Sequence, residues 1–335
     1  MTSPAESNLL EVLNLRVDFP TRRGTLVAVN DVSFEIKAGE VLGVVGESGA
    51  GKSLTGAAII GLLEPPGRIS GGEVRLAGKR IDNLAQEHIR QIRGREIGMV
   101  FQDPLTSLNP LFRVGEQLIE TLQTHADLEE KSARKQAVNW LAEVGIPSPE
   151  VRVDQYPHQF SGGMRQRVVI ALALCANPKL IIADEPTTAL DVSIQAQIIS
   201  LLKRLCREHG TAVMLITHDM GVIAETADRV AVMYAGRLVE IGEARRVIQK
   251  GKHPYTLGLM GSIPTIGDTE KELRQIQGSM PRLAERPEGC AFNPRCPSVM
   301  ERCRENRPEL QSVDKSSVAC WLFEAPAVPS EPTQW

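Results

Sequence analysis

The sequence predicts an α/β fold in which a parallel sheet carries a phosphate-binding loop. The first observation is an apolar strand that runs into a glycine-rich loop over residues 41–53, VLGVVGESGAGKS. The second is a pair of short apolar runs, LIIADE at 180–185 and AVMLIT at 212–217, with a helical stretch at 194–206 between them. Parallel strands are covered on both faces, so they are apolar throughout and are joined by crossover helices. The loop should therefore lie at the carboxyl end of one strand of such a sheet.

The bulk composition is typical of a soluble globular protein. The 335 residues are 42% hydrophobic and 24% charged, and the formal net charge is −3. This net charge does not indicate nucleic-acid binding. No apolar run approaches the roughly 18 residues that a membrane-spanning helix needs. The N-terminal stretch MTSPAESN lacks a charged-then-apolar signal. We expect a cytosolic chain without a nucleic-acid partner, which could work at a membrane only by docking onto other proteins.

Strands are predicted on both sides of the loop. Alternation of apolar and polar residues indicates two half-buried strands at 13–19 and 32–36. Further strands are expected at 73–76 and 97–101, and the stretch VAVMYAGRLVEIG at 230–242 is typical of a hairpin.

A helical insert separates the early strands from the later ones. The chain is polar and helical in pattern over about 103–165, and apolar residues at i, i+3, i+4 and i+7 mark one buried face, namely Ala137, Trp140, Leu141 and Val144. We expect a helical subdomain here.

The composition changes again after residue 251. The last segment, 252–335, holds ten of the 21 prolines and four of the six cysteines. This change predicts two regions, a nucleotide-binding domain over 1–251 and a small Cys-rich C-terminal extension over 252–335.

The glycine-rich loop has the residues that hold a nucleotide triphosphate. Glycines at 46, 49 and 51 allow turns that a Cβ would forbid, so that backbone N–H groups point at the phosphates. Lys52 supplies a positive charge, the following helix adds its N-terminal end, and the Ser53 hydroxyl is suited to the magnesium ion of the nucleotide. The spacing G-x-x-x-x-G-K-S therefore predicts ATP and Mg²⁺ as ligands.

Polar groups elsewhere in the sequence complete a hydrolytic site. Asp184 and Glu185 end an apolar strand, where the first carboxylate can hold magnesium and the second can act as a base for water. Gln102 and His218 each follow a predicted strand, at the sheet edge where ligands bind. A second anion site is predicted at the start of a helix, from Ser161, Gly162 and Gly163.

These motifs resemble the nucleotide-binding subunit of ABC transporters, over about residues 10–251. GESGAGKS resembles the Walker A motif of the family, FQDP its Q-loop, FSGGMRQR its signature, LIIADEP its Walker B motif, TALD its D-loop and THD its switch histidine. The resemblance implies a P-loop ABC cassette with a RecA-like core, an antiparallel β subdomain and a helical subdomain. The signature departs from the common LSGGQ at Phe160 and Met164, but its Ser-Gly-Gly core is kept.

The resemblance also implies roles for individual residues. Two cassettes would face head to tail, with each ATP between the Walker A motif of one chain and the signature of the other. Glu185, His218 and Gln102 would be catalytic, and Ser53, Gln102 and Asp184 would ligate magnesium. The nucleotide would be bound by Phe19, Gly46, Glu47, Ser48, Gly49, Ala50, Gly51, Lys52, Ser53, Leu54, Gln102, Ser161, Gly162, Gly163, Asp184 and Asp191.

Stretches outside the generic cassette resemble the branch that drives oligopeptide, dipeptide and nickel importers. They are FQDPLTSLNP, SGGMRQRV, DEPTTALDV, MYAG, HPYT at 253–256 and GCAFNPRCP at 289–297. The resemblance is to the D-type subunit. It implies a paralogous ATPase subunit, two transmembrane permease subunits and an extracytoplasmic binding protein as partners, with this chain at the cytoplasmic face of the inner membrane. The transported solute stays open among peptides, nickel and opines.

Four cysteines in the C-terminal extension form a C-x5-C-x6-C-x16-C array, made by Cys290, Cys296, Cys303 and Cys320. A cytosolic chain rarely keeps disulfides, and a segment with little core gains from a metal as a staple. Thiolates serve both iron–sulfur clusters and zinc. Because the resembled branch includes members with a [4Fe-4S] cluster on this array, we expect that cluster, with zinc and unligated thiols as the alternatives.

The sequence disfavours two other functions. A cassette ATPase for DNA repair would carry a long coiled coil between Lys52 and Ser161, and a translation factor would carry two cassettes; neither feature is present. A regulatory subunit with a dead site is disfavoured because Glu185 and His218 are both present.

Overall fold

The computed structural model describes residues 8–188, 190–261 and 276–323. The strands are β1 (Asn8–Thr21), β2 (Gly24–Lys37), β3 (Val41–Val45), β4 (Arg68–Leu76), β5 (Lys79–Arg80), β6 (Ile97–Val100), β7 (Leu180–Asp184), β8 (Ala212–Ile216), β9 (Arg229–Tyr234), β10 (Arg237–Glu243), β11 (Gln311–Val313) and β12 (Ser316–Val318). The helices are α1 (Lys52–Ile59), α2 (Gln86–Ile92), α3 (Pro104–Ser107), α4 (Val114–Ala126), α5 (Glu130–Glu143), α6 (Pro149–Arg152), α7 (Gly162–Leu174), α8 (Val192–His209), α9 (Met220–Thr226), α10 (Ala244–Lys250), α11 (Pro254–Gly261) and α12 (Glu301–Glu305).

The main sheet has eight strands in the order β11-β12-β10-β9-β3-β8-β7-β6. Strand β3 lies between β9 and β8 and is parallel to both, and the parallel arrangement continues through β7 to β6. All five residues of β3 are buried, as expected for a strand covered on both faces. The carboxyl ends of the parallel strands therefore meet at one edge, where the loop after β3 begins.

A second sheet has four strands in the order β2-β1-β4-β5, and all of its pairings are antiparallel. Helix α1 packs against β1, β2 and β4 of this sheet and against β7 and β8 of the main sheet. The helix that follows the phosphate loop is thus held between two sheets, and this packing fixes the direction of its N-terminus.

The predicted helical insert is formed by α3 to α6, and α7 leads back to the main sheet. The predicted buried face is confirmed, since Ala137, Trp140, Leu141 and Val144 are all at most 1% exposed. Helix α5 packs against α4 and α7, so the insert shares one hydrophobic core with the main sheet.

Two short strands of the C-terminal region extend the main sheet, because β12 pairs antiparallel with β10, and β11 with β12. Glu240 of β10 binds the start of this region. Its side chain is fully buried and accepts hydrogen bonds from the backbone N–H groups of Lys252 and His253. The described part of residues 252–323 therefore packs onto the main sheet. The division at residue 251 stays a prediction.

No helix in the described ranges is both long enough and apolar enough to span a lipid bilayer.

Candidate active site

The loop after β3 takes backbone conformations that require glycine. Gly46 and Gly51 have φ angles of 150° and 100°. A Cβ on Gly46 would lie 2.2 Å from the carbonyl oxygen of Met233, which belongs to the neighbouring strand β9 and cannot move aside. The loop is consequently seated against the sheet, and its shape is set by close backbone contact.

Lys52 lies inside this loop. Its side chain is buried, and its Nζ donates to the carbonyl oxygens of Gly46 at 2.8 Å and Glu47 at 3.2 Å. Burial lowers the pKa of the Lys52 ammonium, and the carboxylates of Glu185, Asp184 and Glu47 act in the opposite direction. The loop thus holds a cation at its centre, where it can pair with phosphate oxygens.

The remaining loop residues differ in exposure. Ser48, Gly49 and Ser53 are exposed, whereas Ala50 is fully buried and Leu54 packs against a hydrophobic core that includes residues of β1, β2 and β3.

Two oxygen atoms at the start of α1 and the end of β7 are suited to a magnesium ion. The Ser53 hydroxyl donates to the Asp184 carboxylate at 2.9 Å. Burial raises the pKa of Asp184, and the nearby charge of Glu185 raises it further. A hydroxyl and a carboxylate side by side are the hard oxygen ligands that magnesium prefers, so these residues fit the ion that accompanies a nucleotide. Gln102, the third residue expected to ligate magnesium, donates a hydrogen bond to Glu185. Its role as a magnesium ligand stays a prediction.

Glu185 is the point where the polar groups meet. Its Oε2 accepts a hydrogen bond from the Thr188 hydroxyl at 2.8 Å and one from Gln102 Nε2 at 3.4 Å, and it lies 3.4 Å from His218 Nδ1. The Glu185 backbone has a φ of 45°, and its N–H donates to the carbonyl oxygen of Ile216 at 2.8 Å. A left-handed conformation at a non-glycine residue is costly and is typical of functional sites.

The predicted residues Gln102, Glu185 and His218 are thus brought together, although they lie on three different segments. The His218 side chain is 62% exposed, so this edge is open to a ligand. The Glu185 carboxylate is held by three neighbours and lies near the loop that contains the Lys52 ammonium. It can take a proton from a water molecule that attacks a phosphate.

The predicted signature residues lie at the N-terminus of α7. The Ser161 hydroxyl accepts a hydrogen bond from Met164 N at 3.4 Å, and both Ser161 and Gly162 are exposed. A Cβ on Gly163 would lie 2.9 Å from the Ile194 side chain of α8, so the glycine permits this packing. Asp191 is exposed at the N-cap of α8. The described contacts of these residues are with α7 and α8, and none is with the phosphate loop.

Phe19 lies on β1 and is half-buried, and its ring contacts Gly67 so closely that a Cβ there would lie 2.8 Å from the Phe19 Cε1. The expected contact of Phe19 with the nucleotide stays a prediction.

Sequence reasoning missed three residues that contact the site. The Tyr255 hydroxyl accepts a hydrogen bond from the Glu47 N–H at 2.8 Å, and Arg295 forms an ion pair with the Glu47 carboxylate at 2.9 Å. Thr188 binds Glu185. The stretches HPYT and GCAFNPRCP carry Tyr255 and Arg295, but they contain no signal that links them to a loop more than 200 positions away.

Comparison with known proteins then identifies the family. A model of the ABC transporter family matches residues 29–188, and a model of the oligopeptide/dipeptide transporter C-terminal region matches residues 239–303. The oligopeptide transport ATP-binding protein OppD of Salmonella typhimurium is 50% identical over 311 residues, which is 92% of each chain. The chain belongs to the oligopeptide and dipeptide branch of the ABC transporter ATP-binding proteins.

This ABC ATPase has further relatives in the same branch. The dipeptide transport ATP-binding protein DppD of Bacillus subtilis is 49% identical over 316 residues, or 94% of each chain. A solved dimeric structure of the ATP-binding cassette MJ0796 bound to ADP and phosphate aligns with a TM-score of 0.63 at 30% identity, covering 70% of this chain and 99% of that one. The P-loop ABC cassette fold and ATP hydrolysis, both expected from the sequence, are confirmed.

The cysteine array of the ABC ATPase does not form the predicted metal site. Among the described residues, no three His, Cys, Asp or Glu side chains are grouped so that they could hold a metal ion. Cys290, Cys296, Cys303 and Cys320 do line one small cavity, but its volume is about 10 Å³, which is space for about one water molecule. The predicted [4Fe-4S] cluster is therefore wrong, and its zinc alternative is not supported.

The four cysteines do not form a metal site because their thiols are packed as small apolar groups. Burial raises the pKa of Cys290 to about 11 and also raises the pKa values of Cys296 and Cys320. Metal ligation needs the thiolate form, which this environment disfavours. Cys290 and Cys296 pack against the main hydrophobic core, and Cys303 is buried.

Proposed function

We propose that this ATPase powers the import of peptides across the inner membrane. The observation that carries the proposal is the 50% identity with an oligopeptide transport ATP-binding protein over 92% of both chains. The match to the C-terminal region of oligopeptide/dipeptide transporters supports the same assignment, because it lies outside the general cassette.

In this proposal Glu185 acts as the base for the attacking water. Thr188 and Gln102 donate to the same carboxylate oxygen and keep it aimed at the site, while His218 orients the γ phosphate. Ser53 and Asp184, with Gln102 as a further ligand, hold the magnesium ion, which would neutralise charge on the phosphates. Lys52 pairs with the phosphates, and Phe19 stacks on the adenine.

The second half of each site comes from another chain in this proposal. Ser161 and Gly162 are exposed at the N-terminus of α7, where a positive helix end favours a phosphate group. We assign Ser161, Gly162 and Gly163 to the ATP of a paralogous ATPase subunit, with Asp191 at the same interface. Two transmembrane permease subunits and an extracytoplasmic binding protein complete the importer, and this chain docks on its cytoplasmic side. Residues 1–251 form the nucleotide-binding domain, and 252–335 form its C-terminal extension.

An uptake assay tests the proposed function. Cells that lack this chain should lose uptake of a labelled tripeptide or dipeptide, the wild-type chain should restore it, and Glu185→Gln should not. Uptake of nickel ions is measured in the same cells. Loss of nickel uptake with unchanged peptide uptake would assign the ATPase to a different cargo.

The shared site predicts that the isolated chain is a poor ATPase. Half of each proposed site is missing from a monomer, and the lost phosphate contacts act on the transition state. Turnover should therefore be low for the purified chain and rise when the paralogous subunit and the permeases are co-purified. Steady-state hydrolysis per chain measures this, and full turnover by a homodimer without those subunits would contradict it.

Tyr255→Phe should weaken ATP binding without changing the chemistry. The phenol accepts a hydrogen bond from Glu47 N in the phosphate loop, and a lost hydrogen bond of this kind costs about 0.5–1.5 kcal/mol. We expect the KM for ATP to rise about 2- to 10-fold with little change in kcat. Tyr156→Phe is the matched control, because Tyr156 lies next to the helical insert, where the Arg113 guanidinium is 5.9 Å from the centre of its ring. Equal KM values in both variants would show that Tyr255 does not position the loop.

A further inference from the structure

We propose that Arg295 neutralises the charge of Glu47, so that the phosphate loop can accept a nucleotide triphosphate. Arg295 lies in the C-terminal region and acts through Glu47, so it is a positioning residue of the ATP site. The proposal rests on the proposed role of the loop, in which Lys52 pairs with the phosphates.

Glu47 places a negative charge in a loop that has to bind a polyanion. The loop residues 46–53, GESGAGKS, contain one basic residue, Lys52, and one acidic residue, Glu47. Burial lowers the pKa of the Lys52 ammonium, and the Glu47 charge is one of three that act in the opposite direction. The field of the Glu47 carboxylate therefore extends to the centre of the loop. Since like charges repel, an unpaired Glu47 would oppose the phosphates.

Arg295 supplies the opposite charge at contact distance. Its Nη1 lies 2.9 Å from Glu47 Oε2, and the Arg295 side chain is only 7% exposed. Such a pair is screened by salt and water less than a pair on the surface. Burial disfavours the charged form of Arg295, but its hydrogen bonds to Glu47 and Tyr234 outweigh this effect and raise its pKa. Arg295 is therefore a permanent cation beside Glu47.

The Arg295 guanidinium is fixed in position by further hydrogen bonds. Its Nε donates to the carbonyl oxygen of Gln277 at 2.9 Å, and its Nη2 donates to that of Gly278 at 3.2 Å. Nη1 also donates to the Tyr234 hydroxyl at 3.3 Å. All three nitrogen atoms of the group thus have partners, and the positive charge is held next to Glu47 before a nucleotide binds.

The same contacts allow a mechanical role for Arg295 that has to be separated from the effect of its charge. A Cβ on Gly49 of the loop would lie 3.1 Å from Met280 Cε, so the segment that Arg295 holds at Gln277 and Gly278 also packs against the loop. Arg295 could support the loop through this segment alone. Neutralisation of Glu47 and mechanical support predict different results when both charges are removed.

Titration of the full chain with a fluorescent ATP analogue and Mg²⁺ tests the proposal. Arg295→Gln leaves Glu47 unpaired and should raise the Kd about 10-fold. Glu47→Gln leaves Arg295 unpaired and should lower the Kd. The double variant has the same local net charge as the wild type and should bind within about 2-fold of it. Arg304→Gln is the control, because Arg304 is exposed on α12 and should not change the Kd.

The outcomes distinguish the two roles. A double variant that binds as weakly as Arg295→Gln, or more weakly, would assign a mechanical role and overturn the proposal, and so would an unchanged Kd for Arg295→Gln. Arg295→Lys keeps the charge but not the three-nitrogen geometry, so it should bind within about 3-fold of the wild type. A Kd as high as that of Arg295→Gln would also overturn the proposal.

Lys52→Ala, measured in the same titration, tests the role of the loop separately. If Lys52→Ala loses affinity while Arg295→Gln does not, the loop holds the phosphates and only the proposal for Arg295 fails. An unchanged Kd for Lys52→Ala would overturn the proposed role of the loop itself.

Discussion

Glu185→Gln should bind MgATP as tightly as the wild type and hydrolyse it about 10²- to 10⁴-fold more slowly, the usual contribution of a general base. The glutamine keeps the size of the side chain and can still contact Thr188 and Gln102, which both donate to Oε2 in the structure. Only the ability to take a proton is lost. Single-turnover hydrolysis and nucleotide binding, measured on the assembled transporter, separate the two effects.

Glu208→Gln is a suitable control for this variant. Glu208 is an exposed carboxylate on α8 that pairs with Arg204, and a surface pair of this kind contributes little. Its loss should leave turnover unchanged. If Glu185→Gln lost nucleotide binding instead of turnover, Glu185 would belong to the binding surface and the proposed base would have to be sought elsewhere.

Lys52→Ala should remove most of the affinity for ATP. The Lys52 ammonium is held between the carbonyl oxygens of Gly46 and Glu47 at the centre of the loop, and we expect it to contact the phosphates in the ground state as well as during the reaction. Loss of a charge-assisted hydrogen bond costs about 1.5–3 kcal/mol, and we expect the Kd for ATP to rise about 10- to 100-fold. Fluorescent-nucleotide titration measures this.

Lys179→Ala provides the comparison, since Lys179 is a surface residue that pairs with Glu96. It should bind ATP like the wild type. An unchanged Kd for Lys52→Ala with a reduced kcat would instead mean that the lysine contacts the phosphates only in the transition state.

The C-terminal region also contacts the phosphate loop that contains Lys52. Tyr255 on α11 and Arg295, which lies between Cys290 and Cys296, both contact Glu47, and Arg295 further donates to the backbone carbonyl oxygens of Gln277 and Gly278. The cation also lies over the rings of Tyr234 and Phe292. The C-terminal region is therefore in direct contact with the phosphate loop through Glu47.

Much of the fold and of the site could be predicted from the sequence because the signals are local. The strand, loop and helix over residues 41–59 follow from contiguous apolar residues, three glycines and a lysine. Gln102, Glu185 and His218 each follow an apolar strand, and the carboxyl ends of parallel strands meet at one edge. The buried face of α5 follows from its helical spacing.

Only the tertiary structure decided the features that join distant segments. The contacts of Tyr255 and Arg295 with Glu47 span 208 and 248 positions, and no periodicity or motif encodes such a pairing. The four-cysteine array and the family resemblance predicted a metal cluster, yet burial raises the pKa of the Cys290 thiol to about 11, and the four cysteines line a cavity of only about 10 Å³. The spacing of the cysteines along the chain shows which thiols could be ligands. Their packing determines how far apart the thiols lie and whether they are charged.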